Sequence, residues 1–199
     1  MATRGFFGLR RPEPPREIPP GQYFETGFPT LTAGPTPRVD TDTWSFSITR
    51  AKSPLATWTW DQIIELPQEE ITVDLHCVTK WSKLDSKWKG ISFDTLLEAV
   101  GEVTEEYVMI GSYGGYMTNL PLDDVIDGKA WLAFEFEGEP LEPSHGGPVR
   151  FLVPHLYLWK SAKWVNSIEL MDQDAPGFWE ASGYHMRGDP WREERYWSD

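Results

Sequence analysis

The sequence predicts an α+β fold in which a mixed β-sheet dominates and the helices are few and short. Three observations support this class: several segments alternate apolar and polar residues, few have helical spacing, and turn residues separate them. A chain of 199 residues is long enough for one domain with a sizeable core. We therefore predict a disordered proline-rich arm over residues 1–20 and a single domain over 21–199.

The predicted strands are short apolar or alternating segments. Strict alternation places every second side chain on one buried face, because side chains in a strand repeat every two residues. Other segments are continuous apolar runs, as expected for strands that are buried on both faces. On these grounds we place strands at 44–49, 71–77, 107–110, 131–137, 149–153 and 165–170.

The helices are predicted from residues that cap or terminate a helix, because the segments themselves are short. Ser92 is a suitable cap for a helix over 93–100, which a glycine follows. Further short helices are expected around Asp61 and over 121–128. Residues 178–199 are aromatic and charged, and we expect them to fold back over the domain so that their rings are covered.

Composition excludes several classes of partner. A net charge of -13 repels phosphate backbones and anionic lipid, so neither nucleic acid nor a membrane surface is an expected partner. No apolar run approaches the roughly 20 residues of a membrane span. Prolines follow the Arg10-Arg11 pair where an export signal would be apolar. The sequence therefore predicts a cytoplasmic protein.

Cys77 is the only cysteine and ends the alternating segment 71–77. A lone cysteine on an apolar strand face is commonly an inert core residue. The alternative is a thiolate that binds a transition metal as a soft ligand. The alternation breaks after Cys77, as it would at a cleft, and Lys80 would favour the thiolate by its charge.

Two further segments carry donors suited to an anion. The glycine motif, His145-Gly146-Gly147-Pro148-Val149-Arg150, joins a tight turn to a planar guanidinium. The lysine motif, Lys160-Ser161-Ala162-Lys163-Trp164, offers ammonium, hydroxyl and backbone donors. Either alone is commonly a surface loop. In a chain this acidic, however, three cations at Arg150, Lys160 and Lys163 predict a site for an anionic cofactor.

Taken together, these segments resemble the sulfite oxidase superfamily of molybdopterin-dependent oxidoreductases, in particular its short bacterial members without a haem domain. The resemblance runs from about Gly21 to Tyr196. It is carried by the two motifs and Val153-Pro154, downstream of a strand-end cysteine. It implies a mixed α+β fold around a molybdenum–molybdopterin cofactor. It also implies two-electron oxygen-atom transfer on a small substrate and a separate electron-transfer partner.

The resemblance assigns roles to individual residues. Cys77 becomes the protein's thiolate ligand to molybdenum and a catalytic residue. Tyr184 falls where the family has an active-site tyrosine, and Trp179 matches a tryptophan just before it. The residues that match the family's cofactor contacts are His145, Arg150, Ser161, Ala162, Lys163 and Ser112.

The substrate is left open by departures from the family pattern. Sulfite oxidases have arginines near the metal cysteine, but here only Lys80 follows and no arginine occurs before Arg150. The periplasmic methionine-sulfoxide reductases of the superfamily share the Cys-Val-x-x-Trp pattern of residues 77–81, although this chain lacks their twin-arginine signal. Sulfite, S-oxides and N-oxides therefore stay as candidates.

Two alternative functions and three histidines complete the sequence interpretation. A catalytically silent molybdopterin carrier would keep the cations without turnover, and a cofactor-free aromatic module would use the tryptophans to bind a small ligand. His76 and His155 have no partner at a recognisable ligand spacing, and His185 lies in an aromatic tail. We interpret all three histidines as structural.

Overall fold

Two β-sheets and two short α-helices form the domain in the computed structural model, which describes residues 12–199. The Arg10-Arg11 pair lies outside the described residues. The strands are β1 (Tyr23–Phe24), β2 (Ser45–Arg50), β3 (Ser53–Thr59), β4 (Glu69–His76), β5 (Trp81–Ser92), β6 (Tyr107–Ser112), β7 (Met117–Pro121), β8 (Trp131–Phe136), β9 (Glu139–Pro140), β10 (Arg150–Leu152) and β11 (Val165–Met171). The helices are α1 (Trp60–Ile64) and α2 (Phe93–Glu98), with 3-10 turns at Thr41–Thr43, Leu122–Asp124, Pro143–His145 and Glu180–Ser182.

Both sheets are mixed, as the sequence predicted for the class. One follows the order β1-β5-β8-β10, with β4 pairing to β5 and β9 to β8. The other follows β3-β2-β11-β6-β7. Each sheet contains one parallel pair, β1 with β5 and β11 with β2, among antiparallel neighbours. The α+β prediction is confirmed, with two sheets instead of one.

Two apolar clusters lie on opposite faces of the six-stranded sheet, and strand alternation decides which side chain enters which cluster. Phe151 of β10 joins the main cluster, which also contains residues of the five-stranded sheet. Leu152 joins a second cluster together with Cys77. Arg150 is two residues from Leu152, so its side chain emerges on the same face as the cysteine.

The longest strand, β5, was missed by the sequence interpretation. Its inner face includes Ser82 and Ser86, which are fully buried although a serine does not signal burial. Asp85 has a φ of +54° and lies at the irregularity in the pairing with β4. The buried serines therefore interrupt the apolar alternation of β5, and the irregularity at Asp85 shifts it by changing which face the following side chains occupy. Strands β3 and β7 were missed for the same lack of a clear apolar alternation.

Two other predictions were wrong. The helix expected over 121–128 is only a 3-10 turn at Leu122–Asp124, since Asp127 and Gly128 take left-handed backbone conformations. The tail does return to the domain, but its rings are not all covered. Trp197 is 80% exposed and Tyr196 is 50% exposed.

The helices that do form are short and capped. Thr59 and Gln62 make a capping box at α1, and the Ser92 hydroxyl accepts from the Asp94 N–H at the start of α2, as predicted. Across residues 12–199, no helix is long and apolar enough to span a membrane.

A glycine in the middle of β5 gives a test of how tightly the strands approach. A Cβ on Gly90 would lie 2.5 Å from the Leu132 carbonyl oxygen of β8. We expect Gly90→Ala to lower the free energy of unfolding by about 1–3 kcal/mol, because backbone atoms must move. Gly34→Ala is the control, since its Cβ would meet nothing within 4 Å. Equal urea midpoints for the two variants would contradict this packing.

Candidate functional site

Cys77 lies directly after β4, where the chain turns towards β5. Its N–H donates to the Trp81 carbonyl and its carbonyl accepts from the Lys80 N–H, both at 2.9 Å. The Thr79 hydroxyl donates to Cys77 Sγ at 3.1 Å. Cys77 is 7% exposed. The chain's sulfur donor is thus held in a hydrogen-bonded turn, on the sheet face that Arg150 shares.

The glycine motif and the lysine motif run side by side. The Trp164 N–H donates to the Gly146 carbonyl at 3.1 Å, and the Phe151 N–H donates to the Ala162 carbonyl at 2.9 Å. Gly146 has a φ of +113°, and a Cβ there would lie 3.0 Å from Lys163 Cα. A residue without a side chain is needed at this position. The close approach brings the cationic side chains of both motifs into one region.

Arg150 is a buried cation whose hydrogen-bond acceptors are neutral. Its guanidinium donates to the carbonyls of Ser161 at 3.0 Å and His145 at 3.1 Å. Burial lowers the pKa of Arg150 to about 10, and the charge of Cys77 opposes this shift. The side chain therefore stays charged at neutral pH, and no carboxylate among residues 12–199 forms an ion pair with it.

Lys163 is the second such cation. Its ammonium donates to the carbonyls of Ser144 at 2.7 Å and Leu31 at 2.9 Å. Burial first, and then the charge of Arg150, lower the pKa of Lys163 to about 8. Within the described part of the chain, Lys163 has no carboxylate partner either. Two adjacent cations thus lie partly or wholly out of water without a counter-ion.

This arrangement fits a metal cofactor that has an anionic tail. Burying unpaired charge is costly, and an anion beside Arg150 and Lys163 would offset that cost. Ser112 pairs with Val165 directly after the lysine motif, and its buried hydroxyl has no hydrogen-bond partner within residues 12–199. A metal cofactor with an anionic tail needs a soft ligand for the metal and cations or hydrogen-bond donors for the tail. The thiolate, the two uncompensated cations and the unpartnered hydroxyl supply these groups.

A segment of the N-terminal arm, Phe28–Leu31, covers these donors. The Phe28 ring stacks on the His145 ring at 4.2 Å between centroids, and the Arg150 guanidinium lies 5.9 Å from the centre of the same ring. His145 Nε2 lies 2.9 Å from the Phe28 carbonyl oxygen and 3.0 Å from the Thr30 hydroxyl. Sequence reasoning did not find this segment, because its composition is that of an ordinary proline-containing arm.

Ser161 acts in this structure through its hydroxyl and its carbonyl, and Ala162 acts through its carbonyl. The Ser161 hydroxyl accepts from the Val153 N–H at 2.9 Å, and the Ser161 carbonyl holds Arg150. Ala162 is buried and its carbonyl accepts from Phe151. Both residues keep the two motifs aligned. Their predicted contact with a cofactor stays a prediction.

Tyr184 reaches the site from the C-terminal tail. Its ring contacts Trp159 edge-on at 5.2 Å and Trp179 at 5.0 Å between centroids. Burial is the main cause that raises the pKa of Tyr184, and charges on Tyr196 and Cys77 add to it. The phenol therefore stays protonated at neutral pH and can donate a hydrogen bond close to Cys77.

Lys160 does not join the cationic group, contrary to the sequence prediction. Its ammonium is fully buried and lies 2.6 Å from Glu180 Oε1. It also donates to the Asn119 carbonyl at 2.8 Å and to the Met186 carbonyl. The ion pair joins the lysine motif to the tail segment that carries Tyr184, and the hydrogen bond to Asn119 joins the same motif to β7.

Tyr116 is a site residue that sequence reasoning missed. Its hydroxyl donates to the Trp159 carbonyl at 2.6 Å, and burial raises the pKa of Tyr116 well above its usual value. Tyr116 lies close enough to Arg150 to influence its pKa. The available signal was the Gly114-Gly115 pair just before it, which forms the turn between β6 and β7 with two positive φ angles.

The histidines have structural partners, as expected. His76 Nδ1 lies 2.8 Å from the Ser82 hydroxyl, and His155 Nε2 lies 3.1 Å from Asp124. His185 Nδ1 accepts from two backbone N–H groups of its own turn. Between residues 12 and 199, no group of three or more His, Cys, Asp or Glu side chains could hold a metal ion. A metal bound by a single protein ligand needs no such group.

Comparisons with known proteins show which family the chain belongs to. A family model described as "Oxidoreductase molybdopterin binding domain" matches residues 33–179. The chain is 40% identical over 195 residues to "Uncharacterized oxidoreductase YuiH" of Bacillus subtilis (strain 168), covering 96% of this chain and 98% of that protein. It is 26% identical over 179 residues to "Protein-methionine-sulfoxide reductase catalytic subunit MsrP" of Gluconobacter oxydans (strain 621H), covering 78% of this chain but only 57% of that protein.

A solved structure supports the fold. The sulfane dehydrogenase SoxCD from Paracoccus pantotrophus matches with a TM-score of 0.61 and 18% sequence identity. The match covers 69% of this chain and 40% of the SoxCD chain. The mixed-sheet architecture is therefore that of the molybdopterin-binding fold.

The pKa of Lys163 predicts how stability depends on pH in the cofactor-free protein. Because the folded pKa is about 8 and the unfolded value is 10.5, the unfolded state binds more protons between these pH values. Stability should therefore rise from pH 8 to pH 10.5, by about 1–2 kcal/mol, since solvent screens the partly exposed ammonium. Urea titrations of the wild type and of Lys163→Met measure this rise. The rise in stability between pH 8 and pH 10.5 should be seen in the wild type and should be missing in Lys163→Met. Parallel pH profiles of the two proteins would contradict the prediction.

Proposed function

This chain belongs to the sulfite oxidase superfamily of molybdopterin-dependent oxidoreductases and binds the molybdenum–molybdopterin cofactor, and we propose that it transfers an oxygen atom and two electrons to or from a small S-oxide or N-oxide. The observation that carries the proposal is the pair of uncompensated cations, the buried Arg150 and the partly buried Lys163, near the lone Cys77. Sulfite is the second candidate substrate.

In the proposed site, Cys77 supplies the protein's thiolate to the metal. The cofactor, when bound, supplies a centre that exchanges an oxygen atom and two electrons with the substrate. The Thr79 hydroxyl donates to Cys77 Sγ and so stabilises negative charge on the sulfur. The turn that ends at Trp81 fixes the position of the sulfur before any cofactor binds.

We assign the anionic tail of the cofactor to the two motifs. Arg150 offers a planar set of donors suited to phosphate, and Lys163 adds a compact charge. The unpartnered hydroxyl of Ser112 and the ring of His145 would add hydrogen bonds to the cofactor. Ser161 and Ala162 contribute through the backbone that aligns the motifs.

Tyr184 is the proposed hydrogen-bond donor to the substrate oxygen. Its raised pKa keeps the proton on the phenol, and its ring is held between Trp159 and Trp179. A donor fixed in this way stabilises charge that develops on oxygen during transfer without having to reorganise.

The charges around the site favour an uncharged substrate over sulfite. In the proposed site Arg150 and Lys163 serve the anionic tail. Lys80, three residues after Cys77, is exposed, so its charge is screened by solvent and would hold a sulfite anion only weakly. The reductase relative and the Cys-Val-x-x-Trp pattern of residues 77–81 support the same choice.

Metal analysis and a substrate screen test the proposal. The purified protein should contain molybdenum and should pass electrons from a reduced dye to S-oxides or N-oxides, with sulfite oxidation slower or absent. Bound metal with every such couple inert would favour the silent carrier. The absence of molybdenum from protein expressed with cofactor biosynthesis would favour the aromatic binding module. The cytoplasmic location stays a prediction.

Replacing the sulfur should separate chemistry from folding. We expect Cys77→Ser to lower dye-linked turnover by at least about 100-fold, because the metal loses its soft protein ligand. The thermal midpoint should change little, since one atom is exchanged in a turn that is held by backbone hydrogen bonds. Wild-type turnover by Cys77→Ser would refute the ligand role.

Reversing a charge should act on cofactor retention. We expect Lys163→Glu to lower molybdenum content several-fold, because a carboxylate opposes the anionic tail. Lys52→Glu, an exposed site in the turn between β2 and β3, is the matched control and should keep full occupancy. The assignment fails if both variants, each still folded by circular dichroism, retain the same molybdenum content.

A further inference from the structure

His185 directly follows Tyr184 and closes the next turn of the tail with its own ring. Its Nδ1 accepts from the Arg187 N–H at 3.2 Å and from the Gly188 N–H at 3.1 Å. A ring nitrogen accepts only while it carries no proton, so the proton of the neutral imidazole is on Nε2. Asparagine and aspartate oxygens commonly close turns by the same pattern of bonds to nearby backbone N–H groups. This pattern requires a neutral His185.

The turn that this ring closes, residues 185–188, packs against the aromatic side chain beside Tyr184. We call it the histidine turn. A Cβ on Gly188 would lie 2.6 Å from Trp159 Cζ2, so the backbone of the turn lies against the indole. Trp159 contacts Tyr184 edge-on at 5.2 Å between centroids. The histidine turn therefore fixes both the backbone after Tyr184 and one ring that packs against it.

A carboxylate lies beside the same ring nitrogen. Glu194 Oε2 is 3.4 Å from His185 Nδ1 and accepts from the Asp189 N–H at 2.9 Å. The His185 side chain is 24% exposed and that of Glu194 is 13% exposed. Protonation of Nδ1 turns this atom from an acceptor into a donor, for which Glu194 is the available acceptor. The Arg187 and Gly188 N–H groups then lose their acceptor, so the two protonation states favour different arrangements of the turn.

The charged groups around the histidine turn come from the tail, the lysine motif and the turn at Leu122–Asp124, and they pair with one another. They are Asp124 with Arg187, Lys160 with Glu180, Glu193 with Arg195, and Asp189 and Glu194 with Arg192. His155 also contacts Asp124, at 3.1 Å. Carboxylates outnumber cations in this set. The surplus of negative charge favours a proton on His185 as the pH falls, and the two backbone N–H groups oppose it.

We propose that neutral His185 is a positioning residue that holds Tyr184 and Trp159 in place, and that its protonation opens the histidine turn and slows oxygen-atom transfer. The inference rests on the proposed function, in which Tyr184 donates to the substrate oxygen. Histidines change charge between about pH 5 and pH 8, so the effect falls within the range of ordinary assays.

An asparagine at position 185 tests this role, because its oxygen accepts the same two N–H groups and does not titrate. The assay follows dimethyl sulfoxide, which takes two electrons from a reduced viologen dye and two protons from buffer and yields dimethyl sulfide and water. At pH 8, His185→Asn should reach a kcat within about twofold of the wild type, whereas His185→Ala should be at least about tenfold slower. At pH 5, the wild type should be at least about fivefold slower than His185→Asn. Proton consumption and the titration of His155 are common to both proteins and cancel in this ratio.

Nuclear magnetic resonance of the full-length protein gives a readout that does not depend on turnover. The amide resonances of Arg187 and Gly188 should shift between pH 8 and pH 5 in the wild type and stay constant in His185→Asn. Glu194→Gln keeps an oxygen for the Asp189 N–H but loses the charge. It should therefore move the wild-type transition to lower pH by about half a unit or more.

A double-mutant comparison distinguishes positioning from general stabilisation of the fold. In a Tyr184→Phe background, His185→Ala should lower kcat by less than about threefold, because the phenol that it positions is already gone. An undiminished tenfold loss there would overturn the inference.

The remaining outcomes separate the inference from the proposed function. Amide shifts that persist in His185→Asn would overturn the inference, and so would a kcat ratio of wild type to His185→Asn that is equal at pH 5 and pH 8. Shifts confined to the wild type, in a protein that leaves dimethyl sulfoxide and every other oxide unchanged, would keep the role of His185 in the turn and refute the proposed activity.

Discussion

The site depends on the backbone pairing between the glycine motif and the lysine motif. Hydrogen bonds from the Trp164 N–H to the Gly146 carbonyl and from the Phe151 N–H to the Ala162 carbonyl bring the two motifs side by side. Because Gly146 lacks a side chain, the segments approach until Lys163 lies against it. The same pairing sets Arg150 in a ring of carbonyl oxygens. The pairing thus holds Arg150 and Lys163 close together although their charges repel each other.

The contrast between Lys160 and Lys163 shows that the lack of a carboxylate partner is particular to Lys163 and is not general to the lysines of this motif. Lys160 is fully buried and paired with Glu180, as buried lysines usually are. Lys163, three residues later, has only carbonyl acceptors, and burial lowers its pKa. Because Lys160 has a carboxylate partner and Lys163 has none, the electrostatic cost of removing charge from water is offset at Lys160 and remains at Lys163. That cost is removed when an anion binds, so the cofactor contributes to stability as well as to chemistry.

Much of the fold could be predicted from the sequence because its signals are local. Capping at Ser92 and the alternation that ends at Cys77 depend on neighbouring residues, and both appear close to the expected positions. Strand β5 could not be found in this way. Its buried serines, such as Ser86, reflect what lies across the sheet, and the irregularity at Asp85 shifts the period.

The site was predicted in part for the same reason. The residue types and spacing of two short motifs pointed to His145, Arg150 and Lys163, which the structure brings close together, whereas partners from distant segments were not visible. Phe28 reaches the site from the arm, and the pairing of Lys160 with a tail carboxylate changes the role of that lysine. The exposed rings of the tail were also misjudged, because aromatic content predicts burial and does not indicate which rings remain exposed.

X-ray absorption at the molybdenum edge tests the central claim most directly. In the loaded wild-type protein, the metal should have three sulfur neighbours, two from the pterin dithiolene and one from Cys77. In Cys77→Ser with cofactor retained by Arg150 and Lys163, the number should fall to two. Three sulfur neighbours in both proteins would contradict the account, because the metal would then be held without the cysteine.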